Sequence, residues 1–269
     1  MLRLLLVGFS LLTTTYASTS PVQVPMMTSN LEKQKQTPHL PITTGRNNHY
    51  YIPSPENSSH PILLKLNTLS TLSQPHCPRL AAMRISQSPF TPGSLTFAAL
   101  PSPSDLTSVF WFQTQRAGVS LPISSLSISS NGKVFEKAKL RAYTARIDPS
   151  TPYITVPRSI HETLVSATRA YKVYHSDKKM YEYVVDCDVR PKCPVIVIDF
   201  GGDEIQVGAY RYALQAPDGS EKCVLLVRSE DGEAGNGRRG REVVLGGAFL
   251  VGRLVVLDFE YGYTGIAQW

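Results

Sequence analysis

Four cysteines and six histidines are the side chains of this 269-residue chain best suited to chemistry on their own, and their spacing limits what they can do. Cys77, Cys187, Cys193 and Cys223 contain no Cys-x-x-Cys pair, so no zinc or thiol-exchange motif is present. An even count predicts disulfide bridges if the chain folds in an oxidising compartment. His39, His49, His60, His161 and His175 lie apart, and His76 beside Cys77 cannot form a site alone, so neither a metal nor a cofactor is expected. There is no Gly-x-Ser-x-Gly elbow for a serine hydrolase. The basic cluster Arg238, Arg239 and Arg241 follows a glycine-rich run from Gly232 to Gly237, without a Gly-Lys-Ser/Thr ending or dinucleotide-type spacing. It reads as a flexible insertion, not a phosphate cradle.

The start of the chain bears on where it folds. Arg3, the apolar run Leu4 to Leu12 and Thr15-Tyr16-Ala17 read as a secretory signal over residues 1–17. Nothing later approaches the roughly 18 continuous apolar residues of a membrane span, so a secreted, extracellular protein with no membrane partner is expected. Asn57-Ser58-Ser59 is a glycosylation sequon that suits an exposed loop. The formal charge of +6 favours acidic surfaces such as cell-wall polymers or anionic proteins. Nucleic-acid binding would require basic residues interleaved with aromatics on one face, and that pattern is missing.

Residues 18–80, rich in Pro, Ser, Thr and Asn, read as a weakly ordered leader with short strand pieces at Tyr50-Tyr51-Ile52 and Ile62 to Leu66. Beyond them, β-branched and aromatic runs recur between turn signals. These are Ser94 to Phe97, Val109 to Phe112, Leu126 to Ile128, Lys133 to Phe135, Tyr181 to Val185, Val195 to Ile198, Glu204 to Val207 and Cys223 to Val227. Many short strands at this spacing predict an all-β sandwich or a barrel-like lobe. Asn131-Gly132 is a hairpin signal. One packing helix is expected from Pro157 towards Tyr171, with Ile160, Leu164, Ala167 and Tyr171 on its sheet-facing stripe.

The tail carries the most specific pattern. Val243 to Leu250, then Val255-Val256-Leu257-Asp258-Phe259 and Thr264 to Ala267, read as a strand, a glycine turn, a short helix and a closing hairpin. With Gly246, Phe249, Leu250, Asp258, Gly265 and Ala267 in register, it resembles the close of pepsin-like aspartic peptidases, although Gly247 stands where that family has Asp. Gly93 to Phe97, the Trp111-Phe112 strand, Leu126 to Ile128 and the Asn131-Gly132 turn follow in the order of that family's second lobe. The resemblance therefore covers residues 81–269, and an all-β pepsin-like C-terminal lobe is expected.

The resemblance implies that Asp148, in Ile147-Asp148-Pro149-Ser150-Thr151, matches a catalytic aspartate on an Asp-Thr/Ser-Gly-Thr/Ser loop, with Thr151 in support. It also implies a Cys187–Cys223 disulfide. Cys193 has no counterpart, and is either free or bridged to Cys77. Pro149 supplies neither the hydroxyl nor the backbone N–H expected after the aspartate, and Ser150 adds a Cβ where the family has glycine. No Asp-Thr-Gly or Asp-Ser-Gly occurs, and only about 60 residues stand where a first lobe would be. With the first lobe missing and the Asp148 loop altered, a secreted pepsin-like homologue without catalysis in this form is expected; the family's alternatives are an active aspartic endopeptidase acting on peptides or proteins, as a dimer or with an unrecognised second Asp, and an inhibitor-like protein that binds a cell-wall glycosidase, as plant xylanase inhibitor-like proteins do.

Overall fold

The computed structural model describes residues 39–44, 50–52, 62–63, 80–86, 93–97, 109–114, 120–175, 180–216, 220–230, 241–259 and 261–268. The proposed signal segment, Asn57, Cys77 and the cluster at Arg238 and Arg239 lie outside the described residues. Every run expected to be extended between Ser94 and Val207 forms a strand. Cys223 to Val227 divides at Leu226 into Lys222–Leu225 and Val227–Ser229, which belong to different sheets.

The strands form four sheets, none of them closed into a barrel. The widest has the spatial order Ile62–Leu63, Tyr50–Ile52, His39–Thr44, Gly93–Phe97, Leu80–Arg84, Arg253–Asp258, Tyr263–Gln268, Val109–Gln113. Its backbone is the closing hairpin, in which Val255 and Leu257 point into the main core while Leu254 and Val256 pack with Ala82 and Ala267 on the opposite face. That two-sided burial explains the unbroken apolar run of the sequence here, where a half-exposed strand would alternate. Part of the segment expected to be weakly ordered is extended: His39–Thr44 runs antiparallel to Gly93–Phe97 and carries Tyr50–Ile52 on its other edge. The run from Ile62 is a strand over Ile62–Leu63, and its remainder lies outside the described residues.

Asn131 and Gly132 take φ of 51° and 74°, as a two-residue hairpin turn requires, and they join Ser125–Ser130 to Lys133–Lys139. The long helix α1 spans Arg158–Thr168 and follows Pro157, whose missing N–H costs nothing at a helix start. It stops at Arg169, which enters the left-handed region at φ 54° while the N–H groups of Arg169 and Ala170 donate to Ser166 O and Val165 O. The expected stripe is corrected accordingly. Ile160, His161, Leu164 and Thr168 are buried, Ala167 is exposed, and Tyr171 belongs to the next strand, Tyr171–His175. His161 takes its buried place by meeting the Tyr183 ring edge-on at 5.0 Å.

Two single-turn helices complete the elements used below: α2 at Ala209–Tyr212 and α3 at Gly247–Leu250. Met180–Asp186 pairs with Lys222–Leu225, and Cys187 just beyond the first strand is disulfide-bonded to Cys223, 36 residues away. Cys193 is buried and free, with its thiol directed at Val189 O, so it forms no bridge to Cys77. Among the described residues no helix is long and apolar enough to cross a membrane.

Candidate functional site

Asp148 lies where one strand ends and the chain crosses over another. Thr144–Ile147 runs parallel to Glu242–Leu245, and the loop after it passes the end of that strand to return on its far side as Ile154–Val156. Backbone hydrogen bonds fasten the crossing. Asp148 N donates to Leu245 O (3.1 Å), while the N–H groups of Gly246, Gly247 and Ala248 donate to the carbonyls of Tyr153, Thr151 and Pro152 at 2.8 to 3.1 Å. A Cβ on Gly246 would lie 2.3 Å from Tyr153 O and 2.4 Å from Thr151 O, so only glycine lets the loop pass at this distance.

The pleat sets what the carboxylate meets. Ala145 and Ile147 point into the core, which places Arg146 and Asp148 together on the other face, beside Glu242 of the parallel neighbour. Arg146 Nη1 donates to Asp148 Oδ2 at 2.5 Å, and its Nε donates to Glu242 Oε2 at 3.0 Å. The other oxygen, Asp148 Oδ1, accepts from the Ser150 hydroxyl (2.5 Å) and the Ser150 N–H (2.9 Å). The Thr151 hydroxyl, expected to support Asp148, accepts instead from Tyr153 N at 3.3 Å. Ser150 therefore makes the contact for which Thr151 was the candidate.

These contacts fix the charge of the site. Burial alone raises the Asp148 pKa, but the Ser150 hydroxyl, the Arg146 guanidinium and the Ser150 N–H together hold it below the ordinary carboxylate value. Burial also opposes the Arg146 charge, and its two carboxylate partners more than offset that. A folded carboxyl with a depressed pKa contributes stability above the unfolded value and loses it as pH falls through the folded one. Asp148→Asn is accordingly expected to destabilise the protein by about 1–2 kcal/mol at pH 7, a charge-assisted bond discounted because Arg146 is 36% exposed. The difference should shrink as pH drops below about 5 and vanish well under about 3.9, as urea unfolding at several pH values will show.

Gly247 stands where the resemblance places an aspartate, and the structure gives the space to another residue. A Cβ at Gly247 would meet the Tyr50 ring at 2.8 Å, and Tyr50 is buried. The strand Tyr50–Ile52 thus seats its aromatic ring against the backbone that holds the Asp148 loop. Gly247→Ala is expected to cost about 1–3 kcal/mol by overpacking. In a Tyr50→Ala background the same substitution should cost under about 0.5 kcal/mol, a coupling that a double-mutant cycle measures.

A second polar group closes the other side of the loop. Tyr153 donates its hydroxyl to the buried Glu182 at 3.0 Å and lies under the Arg228 guanidinium at 3.3 Å; burial pushes its phenol up to about 12. Among the described residues no second carboxylate touches Asp148, and no group of three or more His, Cys, Asp or Glu is placed to hold a metal ion. Arg146, Glu242, Glu182 and Tyr50 were not legible as parts of this site. Only Arg146 left a local signal, two residues before Asp148 on a strand.

The crossing loop, the glycine beneath it and the closing hairpin define the class. The sequence profile described as eukaryotic aspartyl protease matches residues 83–269, more than half of the chain. The chain belongs to that pepsin-like aspartyl protease family.

Proposed function

We propose that this protein is a secreted, catalytically silent member of the aspartyl protease family that binds a peptide, protein or cell-wall partner and does not cleave it. The observation that carries the reading is the Arg146–Asp148 pair. Peptide hydrolysis on this scaffold needs an aspartate that shares one proton with a facing aspartate, so that water is activated by one and the carbonyl by the other. Asp148 is held ionised by a guanidinium and by Ser150, and it has neither a facing carboxylate among the described residues nor a cross-loop hydroxyl at Pro149. The +6 formal charge supports an acidic partner.

The test is incubation of purified full-length protein with an unfolded protein substrate between pH 3 and 6, with and without a statine-type transition-state mimic. No cleavage above buffer is expected. Inhibitor-sensitive cleavage that disappears in Asp148→Asn would overturn the proposal and establish the endopeptidase reading. Binding to cell-wall glycosidases and to acidic polysaccharide, measured at low and high salt, examines the partner separately.

A further inference from the structure

The hairpin that follows α1 holds three of its tyrosines out in solvent. Tyr171–His175 and Met180–Asp186 pair antiparallel without a break, from Tyr171 opposite Val184 to His175 opposite Met180. Side chains alternate between its two faces, so Lys172, Tyr174, Tyr181 and Tyr183 share one of them. At Tyr183 that face packs on the body, where the ring meets His161 of α1. Further out along the same face, Tyr174 and Tyr181 are 53% and 44% exposed, with ring centres 4.9 Å apart and Lys172 Nζ 4.1 Å from the Tyr181 ring centre. On the other face Tyr171 is 45% exposed, beside Lys222.

Tyr171–His175 is also the outermost strand of its sheet, and among the described residues no strand pairs with its far side. A bare edge presents alternate backbone N–H and C=O groups to solvent, and proteins ordinarily blunt such edges with lysines, proline, a register break or brevity. Other edges of this fold are blunted in these ways. Lys133–Lys139 has three lysines and a register shift, while Ala213–Gln215 and Ser120–Pro122 are three residues long, the second ending in proline. Tyr171–His175 has an unbroken register, no proline and one lysine between exposed rings. The pairing of Tyr174 with Tyr181 helps hold the hairpin together, but that does not require an open far edge.

We propose that this edge takes an extended, acidic peptide segment of a partner protein as an added strand. A row of backbone donors and acceptors is matched residue for residue only by another peptide backbone, which favours this occupant over a polysaccharide. Charge and pleat then select its sequence. Lys172 faces carboxylates on one side of the added strand, Tyr171 and Val173 cover apolar side chains on the other, and the +6 formal charge of the chain draws an acidic segment. The proposal rests on the reading of this protein as one that binds a partner, and it gives that partner a chemical class and a surface.

The probe is a dye-labelled peptide of about seven residues alternating valine and glutamate, followed by fluorescence anisotropy and amide NMR shifts with the full-length protein. Saturable binding is expected, with the shifts centred on Tyr171–His175. Three changes should each weaken it at least about tenfold: Lys172→Glu, on an exposed residue; lysine in place of glutamate in the peptide; and methylation of the peptide's backbone N–H groups, which removes donors and keeps charge. The proposal fails if the peptide does not bind, or if binding is indifferent to Lys172→Glu or to backbone methylation. Failure of the peptide alongside binding of a glycosidase or acidic polysaccharide removes this surface and leaves the partner-binding reading in place.

Discussion

Gly246→Ala is expected to cost about 3–5 kcal/mol and to leave the protein largely unfolded at modest urea concentrations. The added methyl carbon would sit 2.3 Å from Tyr153 O and 2.4 Å from Thr151 O, and both are backbone atoms that no rotamer change can remove. Either the loop or the Glu242–Leu245 strand must shift. Overpacking of this kind costs about 1–3 kcal/mol. A shift also lengthens the three hydrogen bonds from Gly246, Gly247 and Ala248 to the loop, each contributing about 0.5–1.5 kcal/mol. Backbone strain has no part in this, because the φ of Gly246 is −86°, which any residue adopts. Urea midpoints of wild type and variant measure the loss. A cost under about 1 kcal/mol would mean that the crossing is looser than the structure has it.

The second large effect is expected from the paired substitution Cys187→Ala and Cys223→Ala. The bridge closes a loop of 36 residues, for which the chain-entropy relation gives about 4 kcal/mol at 25 °C. For a chain of 269 residues that corresponds to a fall in Tm of roughly 7 °C. Cys223 is fully buried, so alanine is the better replacement because serine would also bury a hydroxyl. Thermal unfolding of the oxidised wild type against the double variant measures it, and reduction of the wild type should reproduce most of the change.

Local pattern carried the strands and distant pairing carried the site. Val195–Asp199 and Glu204–Val207 declare themselves through β-branched content and turn residues that a short window contains. The position of the Asp148 loop and the Cys187–Cys223 bridge were legible through family resemblance. The partner of Asp148 was not, although Arg146 is only two residues away, because that proximity acts only when residues 144–147 are extended. Glu242 lies 96 residues from Arg146, across a parallel pairing that no short-range signal specifies. Tyr50 is a comparable case: nothing in Tyr50-Tyr51-Ile52 indicates that one ring will occupy the space left by Gly247. The overlong helix stripe has a different cause. Helical spacing continues to Tyr171 in the sequence, whereas the left-handed turn at Arg169 is a property of the folded chain end.

The most direct measurement is the carboxyl ¹³C titration of Asp148 by NMR in the full-length protein, with Arg146→Met as comparison. A carboxylate held by Arg146 and Ser150 titrates in a single step below the ordinary aspartate value, and its midpoint moves up in Arg146→Met. A proton shared with a facing aspartate would give two coupled steps, one of them raised and neither depending on Arg146, and that result would contradict the account.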